Sequence, residues 1–137
     1  MSIGGSAIQR PLAVMMSRRI LSVTPSARVV EAARILRDSK IGCLLVSGDN
    51  DRYIGIVSET DLVRKVVAAE QDPGRVFVSE VMTSPIITIE IDRSAHDASD
   101  LMAERGIRHL AITEDGRIVG MLSVRDLLRY FKNWGTL

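Results

Sequence analysis

The sequence predicts a mixed α/β (α+β) fold in which one β-α-β-β-α unit is written twice. Three observations predict it. The chain repeats itself at a nearly constant spacing. Val29-Val30-Glu31-Ala32-Ala33-Arg34-Ile35-Leu36 is echoed by Ala95-His96-Asp97-Ala98-Ser99-Asp100-Leu101-Met102, and Gly55-Ile56-Val57-Ser58-Glu59-Thr60-Asp61-Leu62 by Gly120-Met121-Leu122-Ser123-Val124-Arg125-Asp126-Leu127. Within each copy, helix-spaced apolar residues alternate with short β-rich runs. Finally, 46% of the 137 residues are hydrophobic and only 4% aromatic, so the chain can bury a core, built from Val, Ile, Leu, Ala and Met.

Each copy opens with a short strand, Ile20 to Val23 and Ile86 to Ile89. A helix follows. Val29, Ala33 and Leu36 share its face in the first copy, and Ala95, Ala98 and Met102 in the second. Ser94-Ala95-His96-Asp97 has the form of a capping box, whereas the first copy has only Ser26 nearby. Two strands come next. Ile41-Gly42-Cys43-Leu44-Leu45-Val46 matches Ile107-Arg108-His109-Leu110-Ala111-Ile112. Gly48-Asp49-Asn50-Asp51 and Asp115-Gly116 supply the hairpin turns. A closing helix carries Leu62, Val63 and Val66, or Leu127, Leu128 and Phe131. Val14-Met15 and Val81-Met82 extend the match upstream. The polar run Glu70-Gln71-Asp72-Pro73-Gly74-Arg75 reads as a linker. The division is therefore 11–67 for the first repeat, 68–77 for the linker and 78–133 for the second. One unit of about 55 residues buries too little surface alone, so the two sheets are expected to share one core.

This element order and the twice-repeated Gly-x-x-Ser-x-x-Asp motif resemble the CBS domain, named after cystathionine β-synthase. The resemblance covers Pro11 to about Phe131. It implies a pair of repeats packed about a pseudo-twofold axis, with two clefts that each take an adenine nucleotide. The motif Asp would bind the ribose hydroxyls. The motif Ser or Thr would sit at the helix start near phosphate. Carried over by position, Asp61 with Ser58 and Thr60 is expected to face Thr83, Pro85 and Ile87, with Ile107 and Arg108 beside them. Asp126 with Ser123 and Arg125 is expected to face Met16, Arg19 and Leu21, with Ile41 and Gly42 beside them.

The residue types suit that chemistry. A carboxylate accepts two charge-assisted hydrogen bonds from a cis-diol. A helix N-terminus favours phosphate. Ile and Leu can clamp adenine, and Gly55 and Gly120 permit close backbone approach to a ligand. The same Ser-x-x-Asp segments are also capping boxes in form, and the two roles are compatible. The expected settings differ. Asp61 sits among the neutral hydroxyls of Thr60 and Thr83, whereas Asp126 has Arg125 in its own motif and Arg19 opposite. On that reading Asp61 holds AMP more tightly, and Asp126 gains as phosphates are added.

The net charge of +1 gives no electrostatic case for nucleic acid. No apolar run approaches the roughly 18 residues of a membrane span. The opening MSIGGSAIQRPLAV lacks a signal peptide's basic start and apolar stretch, so a soluble cytoplasmic protein is expected. Cys43, the single cysteine, reads as a small buried hydrophobe. No His, Cys or carboxylate grouping has metal-ligand spacing, and no nucleophile elbow, P-loop or HExxH is present. The expected function is therefore a non-enzymatic regulatory sensor with no catalytic cofactor. Its ligand would be AMP first, with ADP, ATP or NAD as alternatives. It would report to an unidentified partner protein. A homodimer is expected, joined through Leu62, Val66, Leu127 and Phe131. The alternative class is a ligand-free dimerisation or protein-interaction domain, and a nucleotide hydrolase is a weaker third reading.

Overall fold

A computed structural model describes residues 10–133. The first nine residues, on which the leader-peptide expectation rests, lie outside them. The elements run α1 (Pro11–Met15), β1 (Ser22–Val23), α2 (Val29–Ser39), β2 (Cys43–Ser47), β3 (Tyr53–Ser58), α3 (Glu59–Leu62), α4 (Val78–Val81), β4 (Thr88–Glu90), α5 (Ala95–Arg105), β5 (His109–Glu114), β6 (Arg117–Ser123) and α6 (Val124–Asn133). A turn of π-helix, Val63–Val67, continues α3. The β-α-β-β-α order is thus present twice, each copy preceded by a short helix.

The chain divides into two compact units that do not coincide with the repeats. One is Ile20–Ile86; the other takes in residues 10–19 and 87–133. Each contains a three-stranded sheet, β1-β2-β3 or β4-β5-β6, with a parallel first pair and an antiparallel second pair. The opening segment of each repeat therefore belongs to the sheet of the other. Residues 10–19 bond to β6 through Ser17 and Met121, and the segment after α4 bonds to β3 through Thr83 and Ile56.

Glycine makes those two junctions. A methyl built on Gly55 would stand 2.8 Å from Met82 Sδ and 3.0 Å from Thr83 O. One on Gly120 would stand 2.5 Å from Met16 Sδ and 3.0 Å from Ser17 O. The close approach expected for a ligand is thus filled by the chain's own opening segments. It also corrects the repeat register. Met16 and Met82 are the matching residues, both extended C-caps of their short helices, rather than Met15 and Met82.

The buried side chains form two clusters, one within each unit. Val23, Val29, Ala32, Leu36, Leu44, Val46, Val57 and Val66 lead one; Leu12, Met16, Ala98, Met102, Leu110, Ile112 and Leu122 lead the other. On α2 the buried face is Val29, Ala32 and Leu36, with Ala33 only half-buried, one position from the expected stripe. On α5 it is Ala95, Ala98 and Met102, as the spacing predicts.

Caps and turns follow local chemistry. Ser94 accepts from Asp97 N at 3.0 Å, completing the box at α5. In the first copy the cap is Arg28, whose N–H donates to Glu31 Oε2 at 3.3 Å. Asp115 and Gly116 both have positive φ, 54° and 76°, as a two-residue type I′ turn requires. The strands β1 and β4 are shorter than predicted and begin two residues later, because Leu21 O and Ile87 O already serve the sheets through single bonds to Leu45 N and Ala111 N.

The closing helices bury fewer apolar residues than the sequence suggests. Val66, Leu127 and Phe131 are buried inside the chain and Leu62 packs against its own core. They are not the open apolar surface expected of them. That surface is instead Val63 (59% exposed) and Val67 (71%) in one unit, and Val14 and Leu128 in the other.

Candidate functional site

The two Ser-x-x-Asp motifs lie where β3 and β6 run directly into a helix. Strand conformation ends at the serine, which leaves its side chain free to accept from the helix's third N–H. Ser58 Oγ accepts from Asp61 N at 3.2 Å, and Asp61 Oδ2 accepts from Ser58 N at 2.9 Å and from Ser58 Oγ at 3.2 Å. In the other unit Asp126 N donates to Ser123 Oγ at 3.1 Å and Ser123 N to Asp126 Oδ2 at 2.8 Å. Both are complete capping boxes. Each leaves one carboxylate oxygen, Oδ1, turned away from the cap.

What Oδ1 meets differs between the units. Asp61 Oδ1 accepts from Thr83 Oγ1 at 3.2 Å and pairs with Lys65 Nζ at 2.9 Å, in a side chain only 11% exposed. Thr83 is fixed there by two bonds to Ile56, at 2.8 and 3.0 Å. Next to it Ser84 Oγ donates to Ile54 O at 2.8 Å, and the Ser84–Pro85 peptide is cis. Asp126 Oδ1 has Arg129 Nη1 at 3.7 Å, beyond hydrogen-bond distance. That carboxyl is therefore the more open acceptor. Neither Lys65 nor Arg129 was singled out from the sequence, although their i,i+4 and i,i+3 spacing from the aspartates is the signal that finds them.

The structure brings Asp61, Ser58 and Thr83 together in one unit. Thr60 is exposed on the first helical turn and Pro85 is exposed beyond the cis bond. Gly42 O accepts from Glu59 N at 2.9 Å, which ties Ile41-Gly42 to the Asp61 motif, although the expectation grouped them with Asp126. Correspondingly, Arg108 O accepts from Val124 N at 2.9 Å beside the Asp126 motif, although Arg108 was expected with Asp61. Ile87 and Ile107 are half-buried against the core of that same unit, and Leu21 against the core of the other. Met16 is a buried core residue wedged on Gly120, and the true counterpart of Thr83 is Ser17. Ser17 Oγ accepts from Arg19 N at 3.2 Å. Arg19 and Arg125 are exposed; Asp126 pairs with Arg129 rather than with either.

Cys43 is buried, and burial, helped by the Glu59 carboxylate, pushes its thiol up to about 12. It is chemically quiet. His96 is exposed and stands 5.0 Å from the Phe131 ring. Among the described residues no three His, Cys, Asp or Glu side chains gather as a metal site, and no helix is long and apolar enough to cross a membrane.

The CBS-domain family model matches the chain twice, over residues 12–68 and 78–133. The chain belongs to the CBS-domain family. An uncharacterized protein from Methanopyrus kandleri is 35% identical over 113 residues, covering 82% of this chain; the match spans only 58% of that relative's length. A solved CBS-domain protein from Burkholderia ambifaria is 33% identical with a TM-score of 0.82, covering 88% of each chain. A hexameric CBS-CP12 protein from bloom-forming cyanobacteria is 28% identical with a TM-score of 0.79, covering 90% of this chain and 73% of its own. The doubled motif and the doubled sheet are thus the CBS pair.

Proposed function

We propose that this CBS pair is a non-catalytic cytoplasmic regulatory module that binds an adenine nucleotide at its motif aspartates and signals the bound state to a partner protein. The observation that carries the reading is the carboxylate pair. Asp61 and Asp126 are each oriented by a capping serine, with Oδ1 outside the cap hydrogen bonds, beside Thr83 Oγ1 and Lys65 Nζ on Asp61 and 3.7 Å from Arg129 on Asp126. A cis-diol needs such an acceptor. For Asp126 the donor is the start of a ten-residue helix, whose dipole favours the phosphate of the same ligand. Ser58 and Thr83 touch Asp61, and the reading assigns Thr60 and Pro85 to the same site. Ser123 touches Asp126, and the reading assigns Arg125, Ser17 and Arg19 to that one.

AMP is the first ligand to test, with ADP, ATP and NAD beside it. A ligand at a hundredfold excess over its Kd adds about 2.7 kcal/mol to apparent stability, a rise of roughly 9 °C in Tm for a chain of this length. Titration calorimetry and thermal melts on the wild-type protein give the answer. If none of the four nucleotides shifts Tm at millimolar concentration, the protein is an interaction domain and the reading is wrong.

Self-association fits the same module. Exposed Val63 and Val67 lie one turn apart on the π-helical segment, and the similar cyanobacterial protein is hexameric. A symmetric homodimer is the simplest assembly that covers such a stripe.

A further inference from the structure

We propose that Lys65 is a built-in competitor for the ligand's diol at the Asp61 motif, so that the two motifs are unequal and the Asp126 motif fills first. The inference rests on the nucleotide reading above and reverses the order expected from the sequence. An ionised carboxylate offers about four acceptor positions. On Asp61 three are taken by hydrogen bonds, from Ser58 N and Oγ on Oδ2 and from Thr83 Oγ1 on Oδ1, and the Lys65 ammonium stands against Oδ1 as an ion pair at 2.9 Å. Two hydroxyls of a ribose cannot both donate there until the lysine gives way. On Asp126, Oδ2 holds Ser123 N, and Oδ1 has only the distant Arg129.

Lys65 is not a loose surface ion. Besides this ion pair, its ammonium group donates a hydrogen bond, 2.8 Å long, to Val81 O at the end of α4. The lysine therefore joins the closing helix of the first repeat to the opening segment of the second, with Asp61 between them. Its departure is nonetheless feasible, because the side chain is 44% exposed and water can take over its hydration. That keeps the penalty modest: it lies between the small value of a surface ion pair and that of a charge-assisted bond in a half-buried site, about tenfold in affinity. Among the described residues no lysine guards the other motif. The matching position is Tyr130, a neutral ring set edge-on against Phe131 at 5.6 Å. The competitor is thus a feature of one copy, which makes it a device for giving two duplicated sites different affinities.

Calorimetric titration with AMP tests this directly. Asp126→Asn, which keeps a capping acceptor, isolates the Asp61 motif. Adding Lys65→Met to that background should tighten AMP about tenfold, while Lys65→Arg, which retains a cation in reach, should leave affinity near that of Asp126→Asn alone. Wild-type protein should lose more affinity through Asp126→Asn than through Asp61→Asn. Lys65→Gln serves as a second variant should Lys65→Met melt early. Unchanged or weaker AMP binding on removal of Lys65 would overturn the proposal, weaker binding showing that the lysine holds phosphate instead. A larger loss for Asp61→Asn than for Asp126→Asn would overturn it as well. If AMP, ADP, ATP and NAD bind none of the proteins, wild type included, it is the nucleotide reading that fails, an outcome plainly different from equal binding by all variants.

Discussion

Replacing Gly120 by alanine probes the junction between the amino-terminal segment and β6. The added methyl would lie 2.5 Å from Met16 Sδ and 3.0 Å from Ser17 O. The thioether is flexible in principle, but Met16 is buried among Leu12, Leu110 and Leu122 and has little room to turn. Ser17 O is backbone, held by a bond of 2.9 Å from Met121 N, and the reciprocal Ser17 N bond is also 2.9 Å. Moving the carbonyl by a few tenths of an ångström stretches both. Overpacking of this kind costs about 1–3 kcal/mol. The gain from a stiffer unfolded chain returns only about 0.4–1 kcal/mol. For a chain of 137 residues the unfolding entropy near Tm is roughly 0.3 kcal/mol/K, so each kcal/mol lowers Tm by about 3–4 °C. Gly120→Ala should therefore melt below wild type by up to about 9 °C, with a central value of about 4–5 °C, in a calorimetric scan. Gly74→Ala is the control: its methyl meets only Asp72 Oδ1, at 3.4 Å, in an exposed turn, so only the unfolded-chain gain acts and it should melt about 1–4 °C above the wild type. A Gly120→Ala protein that melts above wild type, as the control should, would refute the idea that the opening segment is seated against this glycine.

Three further outcomes are expected. Cys43 should resist a thiol reagent at neutral pH in the folded protein and react fully once the chain is unfolded in denaturant; rapid labelling of native protein would contradict its burial. Because folding raises this thiol from its ordinary 9.0 to about 12, the unfolded chain loses the proton first. The associated stability is intact below pH 9 and is lost as the pH climbs toward 12, a slope of up to about 1.4 kcal/mol per pH unit that denaturant melts of Cys43→Ala should lack. Val67→Glu should convert the proposed homodimer to monomer in light scattering without lowering Tm in dilute solution, since Val67 is 71% exposed; wild-type protein that is already monomeric would remove the dimer.

The repeat made most of the fold legible. Two copies of one pattern averaged out local ambiguity, and the paired glycines, hairpin turns and Ser-x-x-Asp segments all fell on the expected elements. What the sequence left hidden was the exchange of opening segments. Val14-Met15 looks like Val81-Met82 as text, but Met16 is the residue that meets Gly120, and only the β6 junction distinguishes the two registers. The apolar residues of the closing helices misled for a related reason. Val63 and Leu128 carry the same hydrophobicity as Val66 and Leu127, and helical phase alone decides which of them reaches the core. At the motifs, the aspartates and serines were readable because a capping box demands those residue types at that spacing. Lys65 and Arg129 were not, since a basic residue three or four positions after an acidic one on a helix is commonplace, and its importance depends on whether the acid's other oxygen is already engaged.

The exchange of segments also explains why a motif in one repeat responds to the other. Thr83 and Val81 belong by sequence to the second repeat, yet their contacts are with Asp61 and Lys65 of the first. On the proposal above, a ligand that takes Oδ1 from Lys65 would leave the lysine with Val81 O, at the end of α4, as its hydrogen-bond partner. That end is fixed to the first sheet through Thr83 and Ile56, and α4 itself is anchored where Val78 N donates to Ala27 O. At Asp126 the corresponding segment, residues 10–19, is held by Ser17 and Met121, and among the described residues no lysine pairs with the carboxylate. If the proposal holds, two motifs with the same spelling would therefore do different work: one would accept ligand with its cap intact, and the other would first have to part Asp61 from the lysine that ties the closing helix of one repeat to the opening segment of the next.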